Sequence, residues 1–332
     1  MFRFSTQSLV VRCTSLLLLT RSSAFHQHSF VRAARSYSST PLYASSATLT
    51  FGTSFDKLEG ADYNATMVIG RKESIEQALP RIMETLGLDI AQPVQASMMD
   101  AVKEKTGGSS RSIVPKGDTA HTFAICGLPT KLSRNNHPMA VHSLTKYIGT
   151  VPNKGNTRVI IISDSNIAPL ASAAAKAFPL FTMKSKASNP EERKVHVAFM
   201  RSDGTVVDTE EELKAAQAVA SGVQLAARLV DSHPELLTTT KFAKEVEAIV
   251  LEHPEIKMTQ IIGEDLRAHG GLYGVGKAAN CPPRMIILEY DGQGDETVAL
   301  IGKGIVYDTG GLSLKTKTGM CGMKHGKFDM SS

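Results

Sequence analysis

An α/β fold is what this sequence predicts, and three observations carry that prediction. From about residue 48 to 203, short β-branched runs alternate with stretches of helical spacing. One of those runs, Arg158-Val-Ile-Ile-Ile-Ser163, is apolar at every inner position, as a strand covered on both faces must be. Near the C-terminus, the apolar run Val298–Ile301 reads as a buried strand that ends in a Gly-rich turn and delivers charged residues to that end. The C-terminal ends of such strands are where an α/β enzyme puts its chemistry.

The elements follow in order. Ala65–Gly70 reads as a strand, and Ser74–Leu86 as a helix with apolar residues at helical spacing. Thr122–Cys126 is a strand, Met139–Ile148 a helix, and Arg158–Ser163 the buried strand. An Ala-rich helix is expected over Ile167–Phe178, and Val195–Met200 closes the set. Lys184–Lys194 is polar, contains Pro190 and reads as a surface loop. A second unit begins near Val207. Thr209-Glu-Glu-Glu212 has the form of a capping box. Leu213, Ala216, Ala220, Val223, Ala227 and Val230 then share one face of a helix of about five turns. A helix over Thr240–Glu252, a strand over Met258–Ile262 and a short helix over Glu264–His269 come next. Met285–Tyr290 and Val298–Ile301 are expected as strands separated by a hairpin-type turn, Asp291-Gly-Gln-Gly294.

Charge is unevenly placed. Residues 1–55 hold five arginines (Arg3, Arg12, Arg21, Arg32, Arg35), no lysine and no acid, and the rest balances 32 basic against 32 acidic residues. The body is near neutral, so the basic pI is no argument for nucleic acid, and no nucleic-acid partner is expected. An acid-free segment rich in Ser and Arg has organelle-transit composition. Arg35-Ser-Tyr37-Ser38 resembles a mitochondrial processing site; the short run Leu16–Leu19 followed by Ser22-Ser-Ala-Phe25 reads alternatively as a signal peptide joined to a plastid transit peptide. Leu16–Leu19 is far too short to span a membrane, and no membrane partner is expected. Removal of about the first 40 residues is expected. Cys13, Cys126, Cys281 and Cys321 form no C-x-x-C pair, which argues against a disulfide framework or a zinc knuckle.

Three motifs invite a chemical reading. Gly271-Leu-Tyr-Gly-Val-Gly276-Lys277 nearly spells a phosphate-binding loop, but Ala278 stands where Ser or Thr would hold magnesium, and the run follows a helix. Glycines packing a loop near the site is the better reading. Asp208-Thr209-Glu210 has carboxylate spacing but belongs to the helix-capping segment, and the ten histidines show no H-E-x-x-H or H-x-x-x-H pair. Lys303, Asp308 and Lys315 differ, because a lysine ending an apolar strand needs a partner or a metal. Thr309-Gly310-Gly311 lets the backbone turn tightly beside Asp308, and Lys315 would point back into the same space.

These residues resemble a known family. Gly270–Lys277, Pro282–Tyr290, Val298–Lys315 and Met323-Lys324 look like the leucine aminopeptidase (cytosol aminopeptidase) family, and Arg228–Pro234 with Leu237-Thr238 resembles the opening of its catalytic domain. Leu128-Pro-Thr-Lys131 and Phe178-Pro-Leu180 resemble a probable-aminopeptidase subgroup. Composition sets the targeting segment at 1–47, and the resemblance implies an N-terminal three-layer α/β domain over 48–203 and the first part of an α/β aminopeptidase catalytic domain over 207–332. It also implies release of N-terminal residues from peptides with two divalent metals, manganese or zinc and in some members magnesium, in a homo-hexamer. By resemblance, Lys303 ligates one metal through a neutral amine, Asp308 bridges both, Lys315 is the catalytic lysine that stabilises the oxyanion, and Met323 lines the pocket for the first side chain. The family's default compartment is the cytoplasm.

The match breaks after His325. The family carries a metal-binding aspartate eleven residues after the catalytic lysine, where this chain has Gly326, and Asp329 stands three residues late as the metal ligand it offers. The family's later segment, with two more carboxylates and an arginine that positions a bicarbonate base, has no counterpart here. The expectation is therefore a chain cut within its catalytic domain by read-through of an intron from Gly326 onward, with little or no activity. The rival expectation is a non-catalytic α/β binding or assembly module with a degenerate peptidase half.

Overall fold

A computed structural model describes residues 9–11, 47–52, 63–116, 119–152, 155–181, 193–292, 294 and 296–328. Most of the expected targeting segment, most of the loop Lys184–Lys194, and Asp329 lie outside the described residues. The chain divides into two compact units, Pro41–Gln224 and Leu225–Ser332, the second taking in Met1–Thr40. No helix among the described residues is long and apolar enough to cross a membrane.

Strand β1, Leu9–Val11, belongs to the second unit. The first unit runs β2 (Thr48–Gly52), β3 (Tyr63–Gly70), α1 (Lys72–Leu86), α2 (Gln92–Asp100), β4 (Gly108–Lys116) and β5 (Thr119–Gly127). It continues with α3 (Val141–Ile148), β6 (Asn156–Ile162), α4 (Ala168–Lys176) and β7 (Lys194–Met200). Its six strands lie in the order β2-β7-β6-β3-β5-β4. All neighbours pair in parallel except β4 with β5, which is antiparallel.

The strands are apolar throughout because both faces are covered. On one face Met67, Ile69, Val159, Ile161, Val197 and Phe199 pack under Leu144 and Ile148 of α3 and Leu170 and Ala174 of α4. On the other, Val68, Phe123, Ile125, Ile160 and Ile162 meet Ile75, Leu79 and Ile82 of α1 and Met98 and Met99 of α2. The alternation Met67/Val68/Ile69 sends successive side chains into different helical layers, as the two-residue strand period requires. A three-layer α/β unit results, in agreement with the sequence.

Sequence reasoning missed three elements of the first unit: β2, α2 and β4. Helix α2 has Pro93 at its start and buries only Met98 and Met99, so its periodic signal is faint. Strand β4 reads Gly-Ser-Ser-Arg-Ser-Ile-Val-Pro-Lys and pairs only with β5, so as an edge strand it needs few apolar residues.

Helix α5 (Glu210–Asp231) follows, its Ala216 packing in the first unit's core. Glu212, expected in the capping box, receives a hydrogen bond from Arg201 Nη2 at 3.1 Å. The second unit continues with α6 (Thr239–Glu252), β8 (Ile256–Ile262), a 3-10 turn Gly263–Ala268, α7 (Gly270–Gly276), β9 (Arg284–Tyr290) and β10 (Ala299–Leu300). It ends with α8 (Lys317–Met320) and a 3-10 turn, Met323–Phe328. Its sheet order is β10-β1-β9-β8.

Three expectations are corrected here. The glycine-rich run 271–276 is a helix, held by Leu272 N–H and Tyr273 N–H donating to His269 O, and Gly276 lies against Pro283 where a Cβ would come within 2.3 Å. The apolar run Val298–Ile301 is not a buried strand: only Ala299–Leu300 pair, and Val298 and Ile301 are 52% and 69% exposed. Strands β9 and β10 do not form a hairpin, since β1 stands between them.

Phe123 is 1% exposed inside the second layer. Its replacement by alanine is expected to cost about 3–5 kcal/mol through lost burial and a residual cavity. Chemical denaturation should show this as a lowered midpoint at unchanged slope.

Candidate active site

The site is built on the loop that leaves β10. Gly302–Tyr307 carries the chain away from the strand, and Asp308 opens a tight turn. Gly310 and Gly311 have φ of +93° and +68°, backbone that a residue with a Cβ rarely adopts. At Gly310 a Cβ would also sit 2.3 Å from Ser313 O, so this turn requires glycine twice over. The turn closes when Lys315 N–H donates to Thr309 O at 2.9 Å. That closure brings Lys315 over Asp308.

Both oxygens of Asp308 are engaged. Gly310 N–H donates to Oδ1 at 2.9 Å, and Lys315 Nζ donates to Oδ2 at 3.1 Å. Lys315 is partly shielded, with 30% of its side chain exposed against 42% for Asp308. The hydrogen bond from Lys315 holds the Asp308 carboxyl below its ordinary pKa, the Gly310 amide adds to this, and the charges of Lys315 and Lys303 act in the same direction. Lys303 itself is exposed. The sequence expectation of a lysine buried at a strand end is therefore corrected: β10 stops at Leu300, and the root of the loop is solvated.

The structure thus brings Asp308 and Lys315 together in one contact and leaves Lys303 acting on Asp308 through charge. Met323 is half-buried at the start of the last 3-10 turn, and Asp329 lies outside the described residues. Four anchors were not read from the sequence. Thr316 caps α8 by accepting from Gly319 N–H at 3.2 Å. Tyr307 Oη donates to Met320 O at 3.5 Å. Lys324 Nζ donates to Asp231 O at 2.9 Å, placing a cation on the last carbonyl of α5. Beneath it, Arg228 grips Glu245 with two bonds of 3.2 and 2.7 Å, fixing the end of α5 to α6. A Thr three residues before Gly319 was a legible cap signal; the Lys324 contact links positions far apart and left no local trace.

Chemically, an ammonium pinned by a carboxylate across a glycine turn is a preplaced hydrogen-bond donor with a positive charge. Such a group can stabilise an oxygen that becomes negative during acyl transfer. As a metal centre the donor set falls short. No group of three or more His, Cys, Asp or Glu able to hold an ion occurs among the described residues. Lys303 and Asp308 are two donors, and Asp308 already accepts from Lys315 and Gly310. The described residues do not by themselves fit a divalent ion, which takes about four or more protein and solvent ligands.

Residues 224–331 match the model of the cytosol aminopeptidase family, catalytic domain. A probable aminopeptidase of Homo sapiens is 41% identical over 212 residues, covering 60% of this chain and 39% of the relative. Leucine aminopeptidase 1 of Caenorhabditis elegans is 33% identical, covering 62% of this chain and 42% of the relative. The chain thus spans about two fifths of the length of these relatives. Among solved structures, the leucyl aminopeptidase of Trypanosoma brucei in complex with actinonin matches with a TM-score of 0.69 at 26% identity, over 93% of this chain and 59% of that one. The Leishmania major enzyme, also with actinonin, gives 0.70 at 26%, over 92% and 58%.

Two outcomes are expected. Lys315→Met should move the Asp308 carboxyl pKa up toward the ordinary carboxylate value, read by carbon-detected NMR titration; an unmoved Asp308 would contradict the contact. Because the folded pKa is depressed, the turn is stabilised above the unfolded carboxylate pKa and loosens as pH falls through the folded one. Gly310→Ala should disorder residues 308–315, seen as faster amide exchange there with the first unit unaffected.

Proposed function

We propose that this chain serves two-metal aminopeptidase chemistry, the release of N-terminal residues from peptides. The observation that carries the reading is the Lys315–Asp308 contact at 3.1 Å across the Gly310–Gly311 turn, within the segment that matches the family. Lys315 takes the catalytic role: its ammonium donates to the scissile carbonyl oxygen as negative charge builds on it. Met323 lines the pocket for the substrate's first side chain. The reading calls for two divalent ions, manganese or zinc and alternatively magnesium, with a bicarbonate as base. Lys303, Asp308 and Asp329 are the donors this chain offers the metals; the remainder are not among its described residues. A homo-hexamer belongs to the proposal for a full-length form. Import into a mitochondrion, with a plastid as the alternative, is also part of the proposal and rests on the composition of residues 1–47 alone.

A second reading is favoured by the contrast between the two cores. The first unit buries two full layers of side chains, whereas the core of the second is Val246, Ile256 and Leu288 with partly buried neighbours. An α/β binding or assembly module with a degenerate peptidase half fits that contrast.

Manganese titration followed by electron paramagnetic resonance separates the two. Under the peptidase reading the chain binds manganese weakly, and Asp308→Asn removes the binding. Hydrolysis of leucyl-4-nitroanilide should be feeble and fall about 10²–10³-fold further in Lys315→Met. Manganese binding indifferent to Asp308 would sink the peptidase reading and leave the module.

A further inference from the structure

The apolar side chains that form and line the second unit's core end at Leu300. Past that residue the chain is held by polar contacts. Among the described residues, the hydrogen bonds of 302–328 close within that segment, from Tyr307 on Met320 to His325 on Gly322, with one exception. The exception is Lys324, whose Nζ donates to Asp231 O at 2.9 Å. The acceptor is suited to a cation. Asp231 ends α5, and a helix leaves its last carbonyls without helical partners while its dipole gathers negative charge there. The end of α5 is also fixed. The Arg228 side chain, 6% exposed, holds Glu245 of α6 with two bonds, and Val246 of α6 packs with Ile256 and Leu288. Lys324 therefore ties the last segment to the packed part of its unit.

We infer that Lys324 is a positioning residue of the candidate site: its ammonium, docked on the C-terminal carbonyl of α5, sets where the adjacent Met323 stands and so how tightly a substrate's first side chain is held. The inference rests on the pocket role proposed for Met323. A methionine side chain has three rotatable bonds and adapts to its surroundings, so the place of its backbone decides what it can reach. Gly322 turns the chain at φ +80°, and His325 N–H donates to Gly322 O at 2.8 Å, so Met323 and Lys324 share one short turn. A shift of that turn by about 1 Å is enough to alter binding or rate by up to about 10²-fold. Both the charge and the donor of Lys324 matter to its acceptor. Arginine keeps both, and methionine keeps the length of the stem but neither.

Two measurements on the full chain test this. In Lys324→Met, hydrogen–deuterium exchange at residues 320–325 should rise about fivefold or more. The Lys315 amide, closed locally on Thr309 O, and strands β3 and β6 should exchange as in the wild type. The second measurement follows the methionine methyl signals by NMR with zinc present, the Met323 signal being assigned by its loss in Met323→Leu. L-leucine should move that signal in the wild type, with an apparent Kd about tenfold higher in Lys324→Met and largely restored in Lys324→Arg. Unchanged exchange at 320–325 in Lys324→Met would remove the tether and the inference with it. Faster exchange with an unaltered leucine Kd would make Lys324 a structural anchor and overturn the positioning role, leaving the pocket reading in place. A wild-type Met323 signal indifferent to leucine would instead overturn the pocket reading, and this inference falls with it even if exchange shows the tether, so the two failures are told apart.

Discussion

Burial of a parallel sheet on both faces is the constraint from which the first unit follows. Once helices cover β3, β5, β6 and β7 on either side, each inner position must be apolar, because an unpaired polar side chain there would forfeit its water. Several of the polar groups that do enter have partners. His121 reaches Tyr63 O and Thr66 Oγ1 through its two ring nitrogens, each at 3.0 Å, and the Arg158 guanidinium lies 4.1 Å from the centre of the Tyr63 ring. Cys126 shows the same environment from another side, its thiol pushed up to about 12 by burial. Each fully buried side chain of this sheet adds on the order of 1.5–3 kcal/mol, so the unit's order rests on many equivalent contributions.

The second unit is held differently. Its apolar core is small, and polar ties carry the geometry: Arg228 on Glu245, Lys324 on the end of α5, Lys315 on Asp308. The Lys315–Asp308 pair is half open to solvent, where an ion pair contributes little, so the loop from Gly302 to Met323 belongs to the low-stability end of the molecule. The same weakness makes the glycine turn decisive. With few apolar contacts to fix it, the position of Lys315 depends on the backbone that Gly310 and Gly311 alone permit.

Legibility varied with the source of order. The strands of the first unit were readable because two-sided burial writes an unbroken apolar run into each. Strand β4 was not, since an edge strand half open to water can be built from Ser, Arg and Pro. Helix α7 contains four glycines in seven residues, Gly270, Gly271, Gly274 and Gly276, and forms against its own propensity because His269 O and Pro283 hold it in place. Val298–Ile301 misled in the opposite sense: apolar residues signal a strand only when neighbours cover them, and here they stay exposed.

What the sequence determined by itself was local and chemical. The spacing of Lys303, Asp308 and Lys315, the glycines between them and the family resemblance they carry all lie within a few residues of one another, where identity and backbone freedom decide the outcome. The tertiary structure decided which of those charges meet. It set Lys315 on Asp308, left Lys303 in water, drew Lys324 to a carbonyl 93 residues away and put β1 between two strands that follow each other in the chain. The physical reason is that pairing over such separations depends on which edges and carbonyls the rest of the fold leaves open, and no short stretch of sequence records that.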